Sequence, residues 1–216
     1  MKNYDFILFD LDGTLTDPGE GITNSVAYAL KKYGIVVGDK TTLYKFIGPP
    51  LIDSFMKYFG FPRTQAVEAT EFYREYFAVA GIFENRVYPG IEELLKKLHS
   101  AGKKLILATS KPEEFAVAIL EHFGIAQYFT YIAGSQMDGT RAYKDQVIAY
   151  ALESAAVPSA DSAIMVGDRE YDIIGAKKLG MDSIGVLFGY GNREELEAAG
   201  ATYIADSADD ISAVLL

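Results

Sequence analysis

Two carboxylates stand at positions i and i+2 in Asp10-Leu11-Asp12-Gly13-Thr14-Leu15-Thr16, directly after the apolar run Phe6-Ile7-Leu8-Phe9. In extended backbone, alternate residues share a side. Such a pair repels unless something positive lies beside it, and a hard cation such as Mg²⁺ suits its oxygens. A turn closed by capping aspartates is the plainer reading. A second acidic pair, Asp168 and Asp172, falls in Val166-Gly167-Asp168-Arg169-Glu170-Tyr171-Asp172 after another apolar run. The spacing of four straddles a strand-to-helix turn, where an N-cap is the alternative. Thr109-Ser110-Lys111 also follows an apolar run. A hydroxyl there, with N–H groups at the next helix start, makes an anion site or an ordinary cap. Lys144 opens an expected helix, where a cation opposes the helix dipole. That small local cost points to a use for the charge, against the alternative of a solvated lysine.

These residues need a scaffold that gathers them. Six short apolar runs end in polar residues: Phe6–Phe9, Leu105–Ala108, Tyr131–Ala133, Ala163–Val166, Ile184–Leu187 and Tyr203–Ala205. They lack alternation, as strands buried on both faces of a parallel sheet do. Helical periods lie between them. Ile91, Leu94, Leu95 and Leu98 form one stripe. Phe115, Ile119 and His122 follow Pro112, taken as a first-turn residue. Val147, Ile148, Ala151 and Leu152 form another stripe, and Ile174 with Leu179 precede the stop at Gly180. The expectation is an α/β fold with a doubly wound parallel sheet. In such sheets ligands bind beyond the carboxyl ends of the strands. Asp10, Thr109 and Asp168 all stand at such ends, and Lys144 comes ten residues after Gly134.

One stretch interrupts the alternation. From about Pro18 to Asn85 the periods are helical: Ile22, Val26, Leu30 and Tyr33; Leu51, Phe55 and Phe59 beside Ile52 and Met56; then Val67, Phe72, Tyr73, Tyr76 and Phe77. Gly48-Pro49-Pro50 and Gly60-Phe61-Pro62 punctuate them. The reading is a small helical domain at 17–85, inserted into a core of 1–16 and 86–216.

Composition sets the outer bounds. The 216 residues carry 20 Lys and Arg against 30 Asp and Glu, a net charge of −10, and no cysteine. Disulfide frameworks, thiolate metal sites and cysteine nucleophiles are excluded. An acidic chain is a poor non-specific binder of nucleic acid or anionic lipid. Phosphate chemistry would have to be concentrated in a few residues, where a metal ion or lysine reverses the local sign. No run reaches the ~18–20 apolar residues of a membrane helix. Asp5 and Asp10 interrupt the N-terminal apolar stretch, so a signal peptide is not expected and a cytoplasmic location is.

With DLDGTLTD and GDREYD in this order, the sequence resembles the haloacid dehalogenase-like hydrolase superfamily along its whole length. ITNSVAYAL, FIGPPL and the YGNREELEAAGATYIADS tail are similar to its phosphoglycolate phosphatase-like branch, including 5′-nucleotidase types, with a helical cap inserted after the first strand. The resemblance implies a Mg²⁺-dependent phosphatase acting on a small phosphorylated metabolite, as a monomer or homodimer. Asp10 would be the nucleophile and form an aspartyl-phosphate. Asp12 would protonate the leaving group and then activate water. Thr109 and Ser110 would bind phosphoryl oxygens, and Lys144 would hold the nucleophile and neutralise charge. Asp168 would bind Mg²⁺ with Asp10 and the carbonyl of Asp12, and Asp172 would support that site.

Lys144 departs from the family pattern in preceding Asp145 where many relatives have proline. Arg141 is the nearby alternative, and Lys111 a weaker one. Lys45 and Gly48 form a candidate substrate loop in the insert, against the plainer reading of a solvated lysine and a structural turn. His99 and His122 are assigned to surface or packing roles. A phosphosugar mutase would use the same chemistry. A non-catalytic phospho-switch would lack both the insert and the second acid.

Overall fold

The computed structural model describes residues 2–216. The chain forms two compact units: the segment up to Asp17 joined by Val87–Leu216, and Pro18–Arg86 between them in sequence. Strands in chain order are β1 (Phe6–Phe9), the two-residue β2 (Thr16–Asp17) and β3 (Arg86–Val87), β4 (Lys104–Pro112), β5 (Phe129–Ser135), β6 (Ala163–Gly167), β7 (Asp182–Val186) and β8 (Tyr203–Ala205).

Six of them make one sheet in the order β5-β4-β1-β6-β7-β8, with every pair parallel. The chain builds outward from β1 through β4 and β5, then returns to β1's other side with β6. The order therefore reverses at β1, and a crevice opens there beyond the strand ends. Leu8, Ile106, Ala108 and Met165 face one side of the sheet and are buried. Their neighbours Ile7, Phe9, Leu105, Leu107, Ile164 and Val166 alternate to the other side and are buried as well. This two-sided burial explains the unbroken apolar runs.

The second unit holds α1 (Gly19–Lys31), a 3₁₀ segment at Lys40–Phe46, α2 (Leu51–Phe59), α3 (Arg63–Tyr76) and one π turn at Phe77–Gly81. Ile22, Val26 and Leu30 supply the buried face of α1. Phe55 is fully buried, with Phe46 at 5.0 Å edge-on and Phe61 stacked at 5.9 Å. Two residues counted with these apolar clusters in the sequence point outward: Val67 and Met56 are exposed.

The core helices are α4 (Ile91–Ser100), α5 (Glu113–His122), α6 (Lys144–Ser154), α7 (Glu170–Lys178), α8 (Arg193–Ala199) and α9 (Ala208–Leu215). Ile91, Leu94, Leu95 and Leu98 form the buried stripe of α4. On α6, Val147, Ile148 and Ala151 close over the sheet, with Ala176 of α7 in the same cluster. Two expectations change here. Pro112 lies outside α5, as its N-cap, so the first helical residue is Glu113. On α7 the inward residue is Ile173 and Ile174 is exposed, because the buried face also carries Asp172.

Candidate active site

Asp10 is the first residue beyond β1, and its N–H continues the ladder by donating to the Val166 carbonyl at 2.9 Å. The chain then turns sharply, with the N–H groups of Thr14, Leu15 and Thr16 all donating to the Leu11 carbonyl. Gly13 takes φ 89° within that turn. A Cβ at Gly13 would stand 2.2 Å from Asp168 Oδ2, so only glycine lets the turn press against this carboxylate.

Asp168 leaves the end of β6 and is wholly buried. Its oxygens accept from the Thr14 hydroxyl at 3.4 Å and the Tyr190 N–H at 2.8 Å. Asp172, in the first turn of α7, accepts from the Arg169 N–H at 3.1 Å. Lys144, the first residue of α6, reaches inward. Its Nζ lies 2.8 Å from Asp10 Oδ1 and 2.8 Å from Asp172 Oδ1, and it donates to the Ala108 carbonyl at 3.1 Å.

Asp10, Asp168 and Asp172 each offer an oxygen within 4.8 Å of the others. Three buried carboxylates facing one ammonium leave an excess of negative charge. Burial, with the charges of Asp172 and Asp10 adding to it, pushes the Asp168 carboxyl well above its usual range. Burial likewise pushes Asp172 up to about 6, with Lys144 offsetting part of the effect. For Lys144 burial works the other way, but the two carboxylates beside it outweigh burial and hold the amine above its usual value. An all-oxygen donor set with surplus negative charge fits a hard divalent cation such as Mg²⁺.

Asp12 is turned elsewhere. Its Oδ2 lies 2.7 Å from Lys111 Nζ, and its Oδ1 is buried without a hydrogen-bond partner. Burial raises its carboxyl above the usual range, with Lys111 working against that shift. The Asp12 carboxylate is not among the three that lie within 4.8 Å of one another. Thr109 is buried and its hydroxyl accepts from the Lys111 N–H at 3.3 Å, while Ser110 is half-buried. The N–H groups nearest Thr109 belong to the end of β4 and not to a helix start. Helix α5 begins four residues later, and Glu113 and Glu114 occupy its first turn.

Of the competing cations, Lys144 is the one at Asp10. Arg141 instead donates to the Gly134 carbonyl at 2.8 Å, pairs with Glu113 and lies 3.6 Å over the Tyr150 ring. In the insert, Lys45 is exposed with its amine 4.6 Å from the Tyr58 ring centroid, and Gly48 is half-buried with φ 105°. His99 and His122 are both exposed, beside the rings of Tyr128 and Phe123. Two contributors were not legible as such. The sequence offers Lys111 only as a substitute for Lys144. Tyr190, whose hydroxyl bonds to Asp17, carries the N–H that holds Asp168.

Residues 7–186 match the family model described as haloacid dehalogenase-like hydrolase. The chain belongs to that family. A 5′-nucleotidase of Pseudomonas aeruginosa is 48% identical over 206 residues, covering 95% of this chain and 93% of that protein. The tyrosine-protein kinase PtkA of Mycobacterium tuberculosis is 38% identical, over 94% of this chain and 68% of its own length. Among solved structures, a predicted phosphatase from Clostridium acetobutylicum superposes with a TM-score of 0.96 at 52% identity, covering 98% of each chain. This member of the family is thus an enzyme of its phosphatase type, with a six-stranded parallel core and a helical insert. Among the described residues, no helix is long and apolar enough to cross a membrane.

Proposed function

We propose that this hydrolase cleaves a small phosphomonoester through an aspartyl-phosphate on Asp10. The observation that carries the reading is the buried Asp10, Asp168 and Asp172 cluster with Lys144 between two of its members. In the first step an Asp10 oxygen attacks phosphorus and the ester P–O bond breaks. The leaving oxygen keeps the electron pair and takes a proton from Asp12. In the second step Asp12 removes a proton from water, the water oxygen attacks phosphorus, and inorganic phosphate leaves Asp10. Thr109 and Ser110 hold phosphoryl oxygens, and Lys144 keeps Asp10 in place while balancing its charge. Mg²⁺ would be held by Asp10, Asp168 and the Asp12 carbonyl, with Asp172 in support, and would supply charge neutralisation around the phosphoryl group.

For the substrate, the Pseudomonas likeness favours a nucleoside monophosphate over phosphoglycolate or a sugar phosphate. Lys45 and Gly48 of the insert are the residues proposed to touch its leaving group. The PtkA likeness favours a second reading, in which a tyrosine hydroxyl replaces water as acceptor. A phosphosugar mutase would return the group to its substrate. Release of inorganic phosphate across a panel of phosphorylated metabolites supports hydrolysis, and phosphate kept on an acceptor overturns it. Asp10→Asn should abolish turnover of p-nitrophenyl phosphate with the fold intact, and full activity in that variant would sink the mechanism. Chelation by EDTA should silence the wild type, and added Mg²⁺ should restore it.

A further inference from the structure

Lys111 has no part in the scheme above, yet the fold takes trouble to place it. Ala108 of β4 pairs with Ala133 of β5, and Pro112 pairs with Ser135. Three residues, Thr109 to Lys111, therefore stand opposite Gly134 alone. Extra residues in a strand re-aim side chains, and such bulges gather next to active sites. This one is packed down: a Cβ at Gly134 would come 2.8 Å from the Lys111 carbonyl oxygen and 2.6 Å from the Glu113 Cα. The Lys111 N–H is tied to the Thr109 hydroxyl. Its side chain is only 4% exposed and ends 2.7 Å from Asp12 Oδ2.

An ammonium taken out of water needs a partner, and here it faces one oxygen of a buried carboxylate. The other oxygen of that carboxylate, Asp12 Oδ1, is buried and unpartnered. A carboxyl group held through one oxygen keeps a fixed orientation, whether it gives a proton as the acid or takes one as the carboxylate.

We propose that Lys111 is a positioning residue for Asp12, clamping Oδ2 and so fixing the orientation of the carboxyl group that serves the leaving-group oxygen. This rests on the reading of Asp12 as acid and base. Lys111 itself need not touch the substrate. A lysine that bound the phosphoryl group would serve every phosphate ester alike, whereas a positioned acid matters most where the leaving oxygen needs its proton.

The test uses two esters of nearly the same shape, phenyl phosphate and p-nitrophenyl phosphate. The second leaves as a stabilised phenolate and needs the acid less. The parameter is kcat/KM, which reports phosphoryl transfer to Asp10. General acid–base catalysis is worth ~10²–10⁴ in rate, so Lys111→Met should lower the phenyl to nitrophenyl ratio by roughly fivefold or more. Asp12→Asn should lower the same ratio. The double variant should be no worse than Asp12→Asn, because the two residues act as a unit. Lys111→Arg should recover part of the ratio. An equal loss on both esters in Lys111→Met, or no loss, overturns the positioning role. If Asp12→Asn leaves the ratio unchanged, it is the reading of Asp12 that fails. A melting curve checks each fold, and Lys111→Gln carries the same test should the methionine variant not fold.

Discussion

Inside the insert, the buried polar side chains are hydroxyls. Thr23, Ser25 and Thr70 each return a hydrogen bond to the carbonyl four residues earlier in their own helix. Ser54 is the fourth, and its Oγ is buried without a hydrogen-bond partner. At the strand ends of the core, buried hydroxyls such as Thr14 and Thr109 stand beside six buried charges: Asp10, Asp12, Lys111, Lys144, Asp168 and Asp172. The three helix-bonded hydroxyls satisfy themselves locally and ask nothing of a ligand. The six charges keep carboxylates in surplus over ammonium groups, which costs stability. Packing explains the insert's interior, and only chemistry explains the core's.

Removing the core's central cation should break this contrast most sharply. Lys144→Met leaves Asp10 and Asp172 facing each other without the ammonium between them. Breaking a buried pair costs about 3–5 kcal/mol, and loss of such a stabilising charge costs about 10²–10³ in kcat. Added Mg²⁺ should recover part of the lost Tm without recovering turnover. A variant as stable and active as the wild type would show that the charge balance is not what holds the cluster.

Phe55→Ala probes the other side of the comparison. Truncating a fully buried phenylalanine costs about 3–5 kcal/mol. The ring stacks within the insert's aromatic group. Hydrogen exchange should accelerate across 18–86, with amides of β1 and β6 still protected. Equal loss of protection in both units would mean that they unfold as one.

The acidity of the site gives a third, smaller effect. An ordinary aspartate titrates near ~4, whereas Asp172 in the folded chain is pushed up to about 6 and Asp168 lies well above its usual range. The folded chain therefore holds protons that the unfolded chain releases. That contribution is complete below the unfolded value and is lost as pH rises through about 6. Asp182 has the opposite sign: its hydrogen bond from Lys2 holds it below the usual range, so its contribution is lost on acidification. Mg²⁺ binds deprotonated carboxylates. Its stabilising shift in Tm should be clear at about pH 7.5 and shrink toward pH 5. A shift independent of pH would place the ion away from these two groups.

Much of this was legible in the sequence because it is local. The run Phe6–Phe9 ends on Asp10, and Ala163–Gly167 ends on Asp168, so strand and carboxylate are read together. Lys144 was legible through its conflict with the helix dipole. What escaped depends on register and phase. The pairing of Lys111 with Asp12 needs the bulge opposite Gly134, which only the β4–β5 register reveals. The choice of Ile173 over Ile174 follows from Asp172 having to reach Lys144, a contact between two helices. Tyr190 holds Asp168 through a backbone N–H, and a backbone donor leaves no trace in side-chain type.

Lys45 offers the finest test of the division between reacting core and selecting insert. Its amine stands over the ring of Tyr58 and near that of Phe59, in solvent. An exposed cation gains little from a ring or from an ion pair, about 0.2–1 kcal/mol in either case. Should it meet a second anionic group on the substrate, Lys45→Ala would raise KM by at most about fivefold for a doubly anionic ester such as phosphoglycolate. The same variant should hydrolyse p-nitrophenyl phosphate with unchanged kcat and KM, since that ester offers no second charge. A fall in kcat on both esters would assign the lysine to the reaction itself and erase the division. An unchanged KM on phosphoglycolate would leave the ring contacts as its whole role.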